Sequence, residues 1–226
     1  MSSLFFTNLD ALNEAISQKN YEYALSMVAQ HVGSIKFSEE YRGSHVFMPE
    51  LDDLVQRIGQ AKTQQFLSDF AYPVDSNRDM LVVVATELYN FGGHTKVIED
   101  MVLHHQGPSM IILTDLYGSY SNGSLSIEEI QEKFPINTSI FITPAIFLHR
   151  KVDYIINLLL TLRPRNIVIA AHHDDVVAYA SANASVNANH IFLHHADHNP
   201  SLGSTVGHYR HVDVSINVKN ICSDIL

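Results

Sequence analysis

The spacing of apolar residues is helical in the first third of the chain. Between Asn8 and Phe37 it predicts two short helices. A third helix is predicted to begin at Pro49, because proline is well placed in a first helical turn. A polar, proline-containing stretch at 72–77 then breaks the pattern, and we place a boundary there. The sequence thus predicts a helical N-terminal segment over residues 1–75 and a second unit over residues 76–226.

In the second unit, short runs rich in β-branched residues alternate with helical patterns. The predicted strands are Leu81–Thr86, Met110–Thr114, Ser139–Thr143, Asn166–Ala171, His190–His194 and Val212–Ile216. The predicted helices are Gly93–His105, Ser126–Phe134, Leu148–Leu162 and Asp174–Asn183. This alternation implies a parallel sheet with right-handed crossovers. The predicted fold class is therefore α/β, a Rossmann-like parallel sheet with helices on both faces, preceded by a small helical segment.

Ligands of such sheets bind beyond the carboxyl ends of the strands, so the residues there are the first candidates. Gly92, Gly93, His94 and Thr95 follow the first predicted strand. Paired glycines let the backbone approach a ligand, and the next helix offers unpaired N–H groups to a phosphate; a plain strand-to-helix turn is the alternative. Neither G-x-G-x-x-G nor a phosphate loop is present, so no nucleotide cofactor of those kinds is expected. Tyr117, in the loop after the second strand, is a candidate to stack on a sugar; an ordinary surface loop is the alternative.

Histidine is concentrated late in the chain, where eight of the fourteen lie between His172 and His211. His172, His173, Asp174 and Asp175 follow the fourth predicted strand. They suit metal ligands, an acid–base pair, or a helix cap with a polar loop.

A second cluster follows the fifth predicted strand. His195 or His198 beside Asp197 suits a general base for a hydroxyl nucleophile, because imidazole titrates near neutral pH and the carboxylate orients the ring.

The charge balance narrows the possible partners. The formal net charge is −10, from 24 acidic and 14 basic side chains, and there is no Lys/Arg run, which argues against nucleic acid and anionic membranes as partners. The apolar runs are shorter than the roughly 20 residues of a membrane span. The single cysteine, Cys222, and the absence of a secretion signal predict a cytoplasmic protein.

Two of these segments together resemble the amino-terminal half of GT-B glycosyltransferases. The segment Gly92–Ile98 looks like the glycine-rich acceptor-side loop of that fold. The segment His194–His198, followed by Leu202-Gly203 and the strand at Val212–Ser215, is similar to a His-Ala-Asp-His stretch in some bacterial members. The similarity covers roughly residues 80 to 220.

The resemblance implies a domain that faces a nucleotide-sugar donor and binds a carbohydrate or protein acceptor. Its implied catalytic residues are His195, Asp197 and His198, near the acceptor hydroxyl. Its implied substrate-binding residues are Gly92, Gly93, His94, Thr95, His172 and Tyr117, with no metal. In that family a second Rossmann domain holds most of the nucleotide, and this chain ends at Leu226. Three alternatives follow: the sequence is a fragment of a longer enzyme, it pairs with a second catalytic domain or subunit, or it has lost transfer activity.

Two other interpretations remain open. Ala171–Asp175 is similar to the Ala-His-Pro-Asp-Asp motif of zinc-dependent sugar deacetylases, which would make His172, Asp175 and His198 zinc ligands and Asp174 the base. That family carries its motif after the first strand rather than the fourth. The other interpretation is a non-catalytic binding or assembly module.

Overall fold

The computed structural model describes residues 8–36, 47–72, 77–194 and 200–213. The helices are α1 Leu9–Ser17, α2 Tyr21–Lys36, α3 Pro49–Asp69, α4 Gly93–His104, α5 Ile127–Gln131, α6 Leu148–Leu162 and α7 Val176–Ser181. The strands are β1 Asn77–Ala85, β2 Ser109–Leu113, β3 Thr138–Ile142, β4 Pro164–Ala170, β5 Asn189–His194 and β6 Tyr209–Asp213. Within these ranges no helix is both long and apolar enough to cross a bilayer.

The six strands form one parallel sheet in the order β3-β2-β1-β4-β5-β6. This arrangement confirms the predicted Rossmann-like α/β fold with a helical N-terminal segment. The chain moves outward from β1 to β3 and then returns to the other side of β1 to form β4. The order therefore reverses between β1 and β4, and sheets of this kind bind ligands in a crevice at the carboxyl ends of such a strand pair.

Both faces of the sheet are buried, which explains why its central strands read as continuous apolar runs. Successive side chains of a strand point to opposite faces. Val82 and Val84 of β1 belong to a core shared with α1, α2, α3, α6 and α7, whereas Val83 and Ala85 face α4 and α5. The N-terminal helices thus complete one of the two cores.

Several elements begin or end away from their predicted bounds. β1 begins at Asn77, four residues before its predicted start at Leu81, because its polar first residue still pairs with Pro164 of β4. β6 begins at Tyr209, whose register partner is His190 of β5. The predicted strand at Val212–Ile216 therefore overlaps it only in part, and residues 214–216 lie outside the described residues.

Candidate functional site at the strand-order reversal

The segments that follow β1 and β4 are joined by hydrogen bonds at the crevice. Thr86 Oγ1 donates to Asp175 Oδ2 at 2.6 Å and accepts from the backbone N–H of His172 at 2.7 Å. In the first turn of α4, His94 Nε2 donates to the carbonyl oxygen of Ala170, the last residue of β4, at 2.7 Å. These contacts bring residues 92–95, which follow β1, and residues 172–175, which follow β4, into one site.

Asp175 is the structural centre of this junction. It caps α7, accepting from the backbone N–H groups of Val177 and Ala178 at 3.1 and 3.0 Å, and its other oxygen accepts from Thr86 and Thr114. Burial raises the pKa of its carboxyl group, while the hydrogen bonds from the two threonines act in the opposite direction. Four donors and complete burial occupy this carboxylate, which leaves it poorly suited to the zinc-ligand role of the deacetylase hypothesis.

A cluster of rings surrounds the half-buried side chain of His172. The ring centroid of Tyr89 lies 6.0 Å from that of His172 in a stacked arrangement, and the ring centroids of Tyr117 and His94 lie at 5.6 and 6.0 Å. Aromatic faces of this kind pack against the apolar faces of ligands while their polar edges stay available for hydrogen bonds.

Carboxylates hold the two phenols of this cluster in place. Tyr89 donates to Glu87 Oε2 at 2.9 Å, and Tyr117 donates to Asp174 Oδ1 at 2.7 Å. Burial, with these acidic partners adding to it, raises the pKa of both Tyr89 and Tyr117. Both phenols are therefore neutral donors over the physiological pH range.

The glycine turn leaves open space at the start of α4. Gly92 adopts a φ of +129°, which disfavours any residue with a Cβ atom, and Gly93 begins the helix. No heavy atom lies within 4 Å of a Cβ atom added at either position. Thr95 is buried, and its hydroxyl accepts from the backbone N–H of Tyr89 at 2.9 Å, so its side chain stabilises the turn instead of facing the crevice.

Lys151 of α6 is a buried residue of the site that the sequence reasoning missed. Its Nζ donates to the carbonyl oxygens of Thr114 and Asp115 at 2.7 and 2.8 Å. Burial lowers the pKa of its ammonium group, and the nearby carboxylates of Asp115, Asp175 and Glu87 oppose that shift. Lys151 lies four residues before Ile155, on the apolar side of α6. This position in the sequence indicates a buried lysine.

Five of the predicted substrate-binding residues lie at the carboxyl ends of the strands: Gly92, Tyr117 and His172 in loops, and Gly93 and His94 in the first turn of α4. The predicted catalytic residues His195, Asp197 and His198 lie outside the described residues. At the end of β5, the buried His194 places its Nδ1 3.7 Å from Asp213 Oδ1 of β6. In the described ranges, no group of three or more His, Cys, Asp or Glu side chains is arranged to hold a metal ion.

Comparison with known proteins gives no further assignment. No protein-family model matches the chain, and neither the curated proteins nor the solved structures include a significant match.

Proposed function

We propose that this chain supplies the acceptor-side domain of a glycosyltransferase. In this proposal the domain transfers a sugar from a nucleotide-sugar donor and is completed by a second Rossmann domain or subunit. The observation that carries the proposal is the open Gly92-Gly93 turn beside the ring cluster around His172, at the point where the strand order reverses.

The turn suits the donor phosphates. The first N–H groups of a helix have no partner within the helix, and the helix dipole favours negative charge at that end. Without side chains at Gly92 and Gly93, a phosphate can approach the backbone closely.

The ring cluster suits a sugar. Tyr89, Tyr117 and His172 offer ring faces for packing, while Glu87 and Asp174 fix the two phenols. In the proposal, a histidine of the 195–198 segment takes the proton of the acceptor hydroxyl. Support for this assignment comes from β5, which ends at His194 and lies next to β4 in the sheet.

The substitution Gly93→Ala tests the proposal without disturbing the fold, because its new methyl group meets no heavy atom within 4 Å. We expect the wild-type protein to bind at least one nucleotide sugar of a panel such as UDP-glucose, UDP-N-acetylglucosamine and GDP-mannose. Gly93→Ala should weaken binding by about tenfold, the effect of losing roughly one hydrogen bond to a charged group. Saturation-transfer NMR detects such binding even when it is weak.

Gly207→Ala is the matched control, since its Cβ atom also meets nothing within 4 Å and Gly207 lies far from the crevice, just before β6. It should bind nucleotide sugars as the wild type does. Equal affinities for the wild type and Gly93→Ala, or no binding of any member of the panel, would contradict the proposal.

A further inference from the structure

The loop between β2 and α5 contains the dipeptide Asn122-Gly123. The same loop carries Tyr117, one of the rings around His172. Asn122, Gly123 and Ser124 are all exposed to solvent. In an Asn-Gly dipeptide the backbone nitrogen of glycine reaches the side-chain amide of asparagine readily, because glycine has no side chain to shield that nitrogen. This dipeptide is therefore a candidate for a chemical modification of the chain.

Two donors of Ser124 bond the side-chain oxygen of Asn122. The backbone N–H of Ser124 donates to Asn122 Oδ1 at 2.9 Å, and the Ser124 hydroxyl donates to the same oxygen at 2.5 Å. Both bonds draw electron density away from Cγ and make it more electrophilic. They also stabilise the negative charge that develops on Oδ1 when a nucleophile adds to Cγ, as the donors of an oxyanion hole do.

The turn around the dipeptide leaves its backbone open to solvent. The N–H of Asn122 donates to the carbonyl oxygen of Gly118 at 2.8 Å, and the N–H of Gly123 donates to that of Tyr120 at 3.1 Å. No heavy atom lies within 4 Å of a Cβ atom added at Gly123. The Gly123–Tyr120 bond must open before the nitrogen can react, and in an exposed turn water replaces it at little cost.

We infer that Asn122 is a site of spontaneous deamidation through a cyclic succinimide, promoted by the two donors of Ser124. The Gly123 nitrogen loses its proton to solvent base and forms a bond to Asn122 Cγ. The bond from Cγ to Nδ2 then breaks, and ammonia leaves with a proton taken from solvent. Water opens the ring at either carbonyl carbon, which yields aspartate or isoaspartate. The inference is independent of the proposed glycosyltransferase function.

The modification changes a loop that is held by its own hydrogen bonds. Either product adds a negative charge, and isoaspartate also inserts a methylene group into the backbone. Asp115 organises this loop by accepting from the backbone N–H groups of Tyr120 and Ser121, at 3.0 and 3.1 Å. We therefore expect the modified protein to show shifted ¹H–¹⁵N NMR signals for Tyr120 and Ser121.

The test is incubation of the full-length protein in mildly alkaline buffer, followed by tryptic digestion and mass spectrometry over time. Asn122 is the single asparagine of the tryptic peptide 97–133, and Asn90 is that of the peptide 79–96. We expect the first peptide to gain the mass of replacing NH₂ by OH and to become a substrate for isoaspartyl methyltransferase. Asn90 is the internal control, because it is also exposed but precedes Phe91, whose side chain shields the backbone nitrogen.

Variants in the loop then assign the mechanism. Asn122→Gln should abolish the modification, because its longer side chain cannot close the five-membered ring. Ser124→Ala should slow it about threefold, the effect of losing one hydrogen bond to a charged oxygen that water partly replaces. Ser119→Ala, which removes a hydroxyl elsewhere in the loop, should react at the wild-type rate. In a synthetic peptide of residues 117–127, where the turn is not held, Ser124→Ala should leave the rate unchanged.

Three results would overturn the inference. One is an Asn122 that stays intact in the folded protein while the synthetic peptide deamidates. Another is a wild-type rate in the folded Ser124→Ala variant. The third is equal slowing by Ser124→Ala in the folded protein and in the peptide, which would trace the effect to the local sequence instead of the turn.

Discussion

His190 is a buried imidazole at the edge between β5 and β6. Its side chain is 4% exposed, and among the described residues its Nε2 has no hydrogen-bond partner. The rings that face it are those of His208, with a centroid at 5.0 Å, and Tyr209, at 6.0 Å. Burial lowers the pKa of His190 to about 4, and the charge of His208 acts in the same direction.

This environment predicts that stability decreases as the pH falls from about 6.5 to about 4. In that range the unfolded chain binds a proton at His190 and the folded protein does not, so acid favours unfolding by up to about 3 kcal/mol. Above about pH 6.5 the effect is absent. Urea unfolding at several pH values should show a smaller loss of stability in acid for His190→Leu than for the wild type.

The pH dependence of the wild type alone does not isolate His190, because protonation of Asp52 stabilises the folded protein in acid. Its pKa is raised to about 6, chiefly by burial, so the folded state binds more protons than the unfolded state between about pH 4 and 6. Taking the difference between wild type and His190→Leu removes this contribution. His104→Gln, at an exposed helical position, is the control, and a pH dependence identical in wild type and His190→Leu would contradict the prediction.

Single residues of the site were only partly predictable from the sequence. Asp175 was recognised as a possible helix cap, but its bonds to Thr86 and Thr114 join residues that are 89 and 61 positions apart. No local pattern encodes such contacts. The same holds for Tyr89, which faces His172 only because β1 and β4 are neighbours in the sheet.

At the scale of elements, the crossing of α3 and α7 depends on Gly59. A Cβ atom added there would lie 1.9 Å from the carbonyl oxygen of Ala180, which is backbone and has little room to move. Alanine is the better helix former by roughly 1 kcal/mol, so intrinsic propensity alone would favour the replacement.

We expect Gly59→Ala to destabilise the protein by about 2 kcal/mol or more, because the two helices must separate to admit the methyl group. Urea denaturation measures this loss. Gly207→Ala, where the added Cβ atom meets no heavy atom, should cost much less; a stability gain for Gly59→Ala would show that the helices cross less closely than described.

Elements with a strong repeating pattern were the predictable ones. α6 spans Leu148–Leu162 as predicted, since its apolar stripe is regular and long. α7 covers only Val176–Ser181 and is buried on all sides, so its sequence lacks a polar face that would mark its ends. Its length is set by packing against α3 and α6, which a local pattern does not contain.

At the scale of the molecule, the N-terminal helices and the sheet share a core. Leu54, Val55 and Ile58 of α3 belong to the same buried cluster as Val177 and Tyr179 of α7. Removing the first 75 residues would expose that face of α7, together with the side of α6 that α2 and α3 contact.

We therefore expect a fragment of residues 76–226 not to fold stably, although the change in sequence pattern places a boundary at its start. Loss of this cover exposes a large apolar surface to water. Circular dichroism and ¹H–¹⁵N NMR of the fragment and the full chain provide the comparison. A well-dispersed spectrum of the fragment would instead establish an independent domain.

The pairing of β1 with β4 also has a consequence for biosynthesis. The helices α2 and α3 precede the sheet in the chain, but α7, which they contact, follows about 100 residues later. Sheet closure between β1 and β4 must likewise wait until residue 170 has been made. Contacts so distant in sequence form slowly. We therefore expect the nascent chain to expose apolar residues of α2 and α3 until α7 has been made, and exposed apolar surface of this kind is what chaperones bind.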